Sequence, residues 1–297
     1  MCVALLKIYN NNFMKKLRRL RKIKYLLCLE KVFAFVINVV VIPGCYGFQM
    51  LVVRPAIDEE YHTSTSAVVA NVLFSTFLFI NVIGNLGLCI TTDTSLAKNL
   101  NEVTYAHEET GNYCKWCKSI RPEKCWHCKL CNACILRRDH HCVFLSRCIG
   151  RRNYRYFLLG VFYTSLGTTY ALYWNYLFVR AQFESFVQAF VSFAVLINPF
   201  FRIMFVFYVG YRDVGYRDIC TSYFILNILI WFWLIHVAFY HLINAAADLT
   251  TYEIMKLRKR RDFKYWKENL VNVFGTRWYY ALVWPFSRSP VPERIMI

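Results

Sequence analysis

From residue 114 the chain reads CKWCKSIRPEKCWHCKLCNACILRRDHHCVFLSRCIG, and its chemistry is concentrated there. Cys114 and Cys117 make one pair separated by two residues, Cys128 and Cys131 make a second, and Cys134 follows at the same spacing. His127 directly precedes Cys128, and Cys148 closes the run. Zinc takes four thiolate or imidazole ligands in a tetrahedron, and cysteines at this spacing can face one ion. The run holds enough donors for two zinc sites with nothing borrowed from elsewhere. Eight of the thirteen cysteines fall between Cys114 and Cys148. Such clustering reads as metal binding or catalysis rather than as a disulfide framework.

One reading makes all of these residues structural zinc ligands, as in RING or LIM modules. Counting speaks against it. Two sites of three cysteines and one histidine leave Cys125, Cys142 and one histidine of the His140–His141 pair over. The surplus falls in a concentrated group, Asp139-His140-His141-Cys142. A thiol becomes a nucleophile when a neighbouring base or cation favours its thiolate. A histidine held by a carboxylate supplies such a base.

With that group intact, the segment resembles the cysteine-rich domain of the DHHC family of protein palmitoyltransferases. Arg121-Pro122 and His127-Cys128 upstream stand at that family's spacing, as do Cys148-Ile149-Gly150, Asn153 and Phe157 downstream. Thr250-Thr251-Tyr252-Glu253 is similar to the family's TTxE motif, and Asn269 with Val273-Phe274-Gly275 to its C-terminal motif. The resemblance implies two structural zinc ions, one on Cys114, Cys117, His127 and Cys134, the other on Cys128, Cys131, His141 and Cys148. It implies Cys142 as nucleophile, His140 as its base and Asp139 as the group that orients His140, with Cys125 a bystander. The implied reaction is protein S-acyl transfer. Cys142 takes a fatty acyl group from acyl-coenzyme A (palmitoyl-coenzyme A) as an S-acyl intermediate, and a substrate protein's cysteine then takes it from Cys142. The implied partners are acyl-coenzyme A, the bilayer and proteins with membrane-proximal cysteines; the implied location is the endoplasmic reticulum or Golgi. Arg137, Arg138, Arg151 and Arg152 are candidates to meet the coenzyme A phosphates.

The elements that must position this segment are apolar. Hydrophobic residues make up 57% of the 297 residues and charged ones 18%, against roughly 25% charged in soluble domains. A bilayer is the natural solvent for such a chain. Apolar stretches run over residues 25–53, 66–90, 156–179 and 221–247, each near or above the ~20 residues a helix needs to cross the hydrocarbon. The first long one starts near residue 26, without the short apolar core and small-residue cleavage site of a signal peptide. A further apolar run at 186–211 carries Asn198, Pro199 and Arg202 at its middle. A central arginine is costly in lipid, so this run reads as a re-entrant or surface hairpin.

The net charge of +18 is placed in a basic N-terminus, the cysteine-rich insert and a basic run from Lys256 to Arg261. All three belong on the cytoplasmic side, which requires an even number of spans on each side of the insert. The expected fold is therefore an α-helical integral membrane protein with about four transmembrane helices. Residues 1–25 form a basic cytoplasmic N-terminus, and 26–90 form helices one and two. Residues 91–155 form a small zinc-binding cytoplasmic domain between spans two and three. Residues 156–247 form helices three and four, and 248–297 a cytoplasmic tail with the TTxE motif. No internal repeat stands out.

The chain departs from the family pattern in two places. Val143-Phe144-Leu145-Ser146-Arg147 replaces a stretch that usually carries Pro-Trp and two asparagines, and Asp93-Thr94-Ser95 keeps only the acid of Asp-Pro-Gly. These departures leave a second reading, a zinc-braced membrane scaffold with weak or no catalysis. Nucleic-acid binding, which charge and cysteines would otherwise suggest, is disfavoured by the flanking spans. A transporter is disfavoured because charges inside the spans are few.

Overall fold

The computed structural model describes residues 24–98, 112–182 and 216–290. The run at 186–211 and most of the basic N-terminus lie outside them. The first apolar stretch is a continuous helical segment made of α1 (Lys24–Phe35), a π-helical turn (Val36–Val41), α2 (Ile42–Phe48), a second π-helical turn (Gln49–Val53) and α3 (Arg54–Glu60). The two widened turns have a common cause. Each ends within two residues of a proline, Pro43 or Pro55, which cannot donate to the preceding turn and crowds its carbonyl. The backbone widens instead of breaking: the amides of Ile42 and Arg54 reach back five residues, to the carbonyls of Ile37 and Gln49.

Helix α4 (Thr65–Thr91), α5 (Tyr154–Gln182) and α6 (Tyr216–Ala246) follow. Among the described residues, three segments are long and apolar enough to cross a membrane: Leu27–Glu60, Thr65–Thr91 and Ile219–Ala246. Helix α5, read from sequence as the third span, has 29 residues and so the length, about 43 Å at 1.5 Å per residue. It is less apolar because hydroxyls interrupt it. Thr168 and Thr169 turn theirs back onto the carbonyls of Thr164 and Ser165 at 3.0 and 2.8 Å, so those polar atoms are satisfied within the helix.

The chain divides into two compact units. One comprises Pro43–Phe79 and Tyr163–His236; among its described residues Val53, Ile57, Phe178, Val179, Cys220 and Phe224 form an apolar core. Its buried Arg54 is held by Asp58 at 2.5 Å and lies 3.7 Å over the Trp174 ring.

The other unit carries the cysteine-rich segment, together with described residues up to Ile42, from Ile80 to Phe162 and from Val237 onward. Its centre is three antiparallel hairpins: β1 (Asn112–Cys114) with β2 (Ser119–Arg121), β3 (Trp126–Cys128) with β4 (Ala133–Ile135), and β5 (His140–Cys142) with β6 (Arg147–Ile149). Cys114, Cys128 and Cys142 each end the first strand of a hairpin, at a 14-residue interval. The residues closing each loop, Lys118, Asn132 and Ser146, all adopt left-handed backbone, with φ of 52°, 51° and 48°. A threefold repeat is thus present where none stood out from the residues alone.

Strand β4 gains a neighbour from the end of α4. Leu96 donates to Cys134 O at 2.8 Å, and Leu136 donates to Thr94 O at 3.1 Å. Asp93 steadies that approach by accepting from the Ser95 amide at 2.8 Å. Gly150 is where these pieces meet. A Cβ there would lie 2.7 Å from Leu136 O and 2.8 Å from both Ile135 Cγ2 and Thr94 Oγ1.

Helix α7 (Thr251–Lys256) begins at a capping box: Thr250 accepts from the Glu253 amide at 3.1 Å while Glu253 accepts from Thr250 N at 3.0 Å. Helix α8 (Trp266–Phe274) packs Val273 against Leu158 and Ala245. Asn269 donates to Ala246 O at 2.8 Å, satisfying a carbonyl that the end of α6 leaves without a helical partner. Helix α9 (Trp278–Val283) closes the described fold.

Gly150→Ala is expected to destabilise the folded protein by about 1–3 kcal/mol through overpacking. Gly167→Ala, with nothing within 4 Å of the added carbon, serves as the neutral control. Thermal unfolding of the two purified variants checks this.

Candidate active site and metal centres

The three hairpins do not each hold their own cluster. One group joins Cys114 and Cys117, from the first hairpin's loop, to His127 and Cys134, which face each other across the second hairpin's strands. The next group repeats this one hairpin later, joining Cys128 and Cys131 to the cross-strand partners His141 and Cys148. Within each group the donor atoms lie within 4.8 Å of one another.

In the first group, Nδ1 of His127 is 3.3 Å from Cys117 Sγ, 3.7 Å from Cys114 Sγ and 4.0 Å from Cys134 Sγ. In the second, Nδ1 of His141 is 3.2 Å from Cys131 Sγ and 3.7 Å from both Cys128 and Cys148 Sγ. A tetrahedral zinc with ordinary bond lengths separates sulfur from nitrogen by about 3.5 Å, so both donor sets fit that ion.

A residue in the first apolar stretch supports the second group. Glu30, on α1 and buried, accepts a hydrogen bond from Nε2 of His141 at 2.7 Å. That bond leaves Nδ1 facing the thiols, and carboxylates placed behind metal-binding histidines set ring tautomer and orientation. Nothing local marks Glu30 for this role, since 111 residues separate the partners.

The staggered pattern leaves the third loop over. Cys142 occupies the position of Cys114 and Cys128, but Leu145 stands where Cys117 and Cys131 stand, and no fourth hairpin follows among the described residues. Cys142 is buried, in neither metal-compatible group, and near enough for its sulfur to help raise the pKa of His140. Nδ1–H of His140 donates to Asp139 Oδ2 at 2.6 Å, and the Thr251 amide donates to Asp139 Oδ1 at 2.7 Å. The second contact explains the TTxE motif physically. The Thr250–Glu253 capping box starts α7 and frees the next amide, which has no helical acceptor, to hold Asp139.

Burial works against charge on both members of the pair, but their contacts outweigh it. Asp139 is held down at about 2 by its hydrogen bond to His140, the charges of His241 and His140, and the Thr251 amide. His140 is raised to about 9 by hydrogen bonds to Asp139 and Cys142. Both shifts favour an imidazolium between a carboxylate and a sulfur. Cys125 is different: fully buried against Cys114, Cys134 and Leu136, its thiol is pushed up to about 12 by burial.

The unusual segment after Cys142 is occupied rather than loose. Arg147 donates to Ile90 O, Asn38 donates to Phe144 O at 2.8 Å, and the Phe144 ring sits 5.8 Å from that of Phe33. The four arginines considered for phosphates divide. Arg137 pairs with Asp248, and Arg138 lies over the Tyr252 ring at 5.4 Å; both brace the fold. The Arg151 amide donates to Leu136 O at 2.9 Å, and Arg152 is exposed.

Glu30→Ala is expected to weaken zinc binding at one of two sites by about 10- to 100-fold, leaving the other unchanged. Competition with a chromogenic chelator resolves the two.

A family model described as DHHC palmitoyltransferase matches residues 107–258, just over half of the chain. No curated protein matches the chain.

Proposed function

The chain belongs to the DHHC palmitoyltransferase family, and from that premise we propose that it is an active protein S-acyltransferase with Cys142 as the acyl carrier. The observation that carries this reading is a thiol, Cys142, left outside two metal-compatible donor sets and two residues along β5 from a histidine that a buried carboxylate holds.

In the first step the proton of the Cys142–His140 pair rests on the imidazole, and the Cys142 thiolate attacks the thioester carbonyl of acyl-coenzyme A. The bond from that carbonyl to the coenzyme A sulfur breaks, and the departing thiolate takes the proton from His140. In the second step a substrate cysteine gives its proton to His140 and attacks the S-acyl carbonyl. The Cys142 sulfur leaves and recovers the proton. One thioester replaces another, so the residues supply activation and placement rather than driving force. Asp139, fixed by Thr251, keeps Nδ1 protonated and the opposite nitrogen available.

Cys114, Cys117, His127 and Cys134 would hold one zinc ion, and Cys128, Cys131, His141 and Cys148 a second. These ions supply structural bracing of the hairpins.

Four spans, with α5 as the third, keep both termini and the hairpins on the cytoplasmic side, where the basic charge belongs. An acyl chain gains about 0.8 kcal/mol for each buried CH2, which draws it into the apolar spans. The proposed substrates are proteins with membrane-proximal cysteines, in the endoplasmic reticulum or Golgi. The scaffold reading rests on residues 143–147; their contacts to Ile90, Asn38 and Phe33 favour an ordered loop beside the nucleophile instead.

Purified protein given clickable palmitoyl-coenzyme A is expected to take up hydroxylamine-sensitive label that Cys142→Ala and Cys142→Ser lose while keeping two zinc ions per chain. Label retained by both variants would overturn the assignment of Cys142. Absence of label on folded, zinc-loaded wild type would favour the scaffold. His140→Ala is expected to slow labelling by on the order of 100-fold or more, as loss of a general base does, without loss of zinc.

A further inference from the structure

A second imidazole stands against the same carboxylate. His241, on α6, is buried, and its Nδ1 lies 3.7 Å from Asp139 Oδ2, the oxygen that accepts from His140. Asp139, His140 and His241 bring their donor atoms within 4.8 Å of one another. This nitrogen has no hydrogen-bond partner among the described residues, and a buried polar atom left that way is costly. The carboxylate is the group in the structure that can relieve it. Catalytic hydrogen bonds that are long in the resting protein tighten when charge develops.

The packing restricts which rotation is open. The His140, His241 and Phe157 rings touch mutually: centroids are 5.3 Å apart for the two histidines, 5.1 Å for His140 with Phe157 and 4.9 Å for Phe157 with His241. The His241 backbone is fixed by Tyr154, whose hydroxyl donates to His241 O at 3.2 Å. His241 thus walls the space into which His140 would otherwise swing, and it aims one nitrogen at the carboxylate.

We infer that His241 is a positioning residue of the acyl-transfer site, donating through Nδ1–H to Asp139 so that the carboxylate stays oriented on His140 during proton transfer from Cys142. This inference rests on the acyltransferase reading above and makes it more specific. With His241 in place, Asp139 receives three N–H groups, from His140, His241 and Thr251. Without it, Oδ2 answers to His140 alone, and the carboxylate can turn.

The test compares His241→Phe, which keeps a ring of similar bulk and removes the donor, with His241→Asn, whose side-chain amide reaches the Nδ1 position. The readouts are single-turnover labelling of Cys142 by palmitoyl-coenzyme A, alkylation of Cys142 by iodoacetamide, and zinc content. The Phe variant is expected to lower the labelling rate at saturation by on the order of tenfold, with the half-saturating concentration and both zinc ions unchanged. The Asn variant is expected to recover to within about threefold of wild type. A Phe variant as fast as wild type, or Phe and Asn variants equally slow, would overturn the inference. If the Phe variant loses its zinc, His241→Gln, whose amide reaches the Nε2 position instead, replaces it with the same expectation. If wild type takes no label at all, the acyltransferase reading fails. Alkylation then decides for His241 alone: slowed by Phe and not by Asn, its role stands; equal rates remove it.

Discussion

The fold of the cysteine-rich unit depends on donors being shared between neighbouring hairpins. A three-residue strand pair cannot bury enough surface to hold itself, and none of the three hairpins has more than that. What ties each to the next is a set of four donors drawn from one hairpin's loop and the following hairpin's strands. The arrangement has a beginning and an end. In the first hairpin the cross-strand positions are Tyr113 and Ile120, and no earlier hairpin loop stands among the described residues. In the last, the loop positions are Cys142 and Leu145, and no later hairpin strands follow among the described residues. The candidate nucleophile is a metal-ligand position at the open end of the series.

That origin accounts for the site's other features. Cys142 inherits a rigid loop with the left-handed closing residue Ser146. It inherits adjacency to His141, which faces the second donor set, and so to His140 on the alternate side of strand β5. The rest of the unit is built onto this end. Glu30 reaches His141 from the first span, Arg147 reaches the end of α4, and Thr251 reaches Asp139 from α7. Each long-range bond lands within a few residues of Cys142, so loss of either donor set would be felt at the thiol.

The spacing of cysteines and histidines made the chemistry of residues 114–148 legible, because ligands close in sequence must be close in space. The repeat itself was hidden. Tyr113, Ile120 and Leu145 break its residue identities, and what recurs is backbone: strand length, loop length and a left-handed φ at Lys118, Asn132 and Ser146. Contacts from Glu30, Thr251 and His241 could not be read locally, since each joins segments about a hundred residues apart. Among the long helices, length and apolarity revealed α4 and α6 as candidate spans directly. Helix α5 is harder because polar residues lower its apolar character, two of which, Thr168 and Thr169, bond back within the helix. The hairpin expected at 186–211 lies outside the described residues.

The most direct test of the staggered arrangement is the reactivity of individual cysteines in the zinc-loaded protein, mapped by alkylation followed by peptide mass spectrometry. Between residues 114 and 148, Cys142 is expected to react while Cys114, Cys117, Cys128, Cys131, Cys134 and Cys148 stay protected until a chelator removes the metal. Protection of Cys142 together with the other six, or reaction of one of the six in its place, would contradict the account.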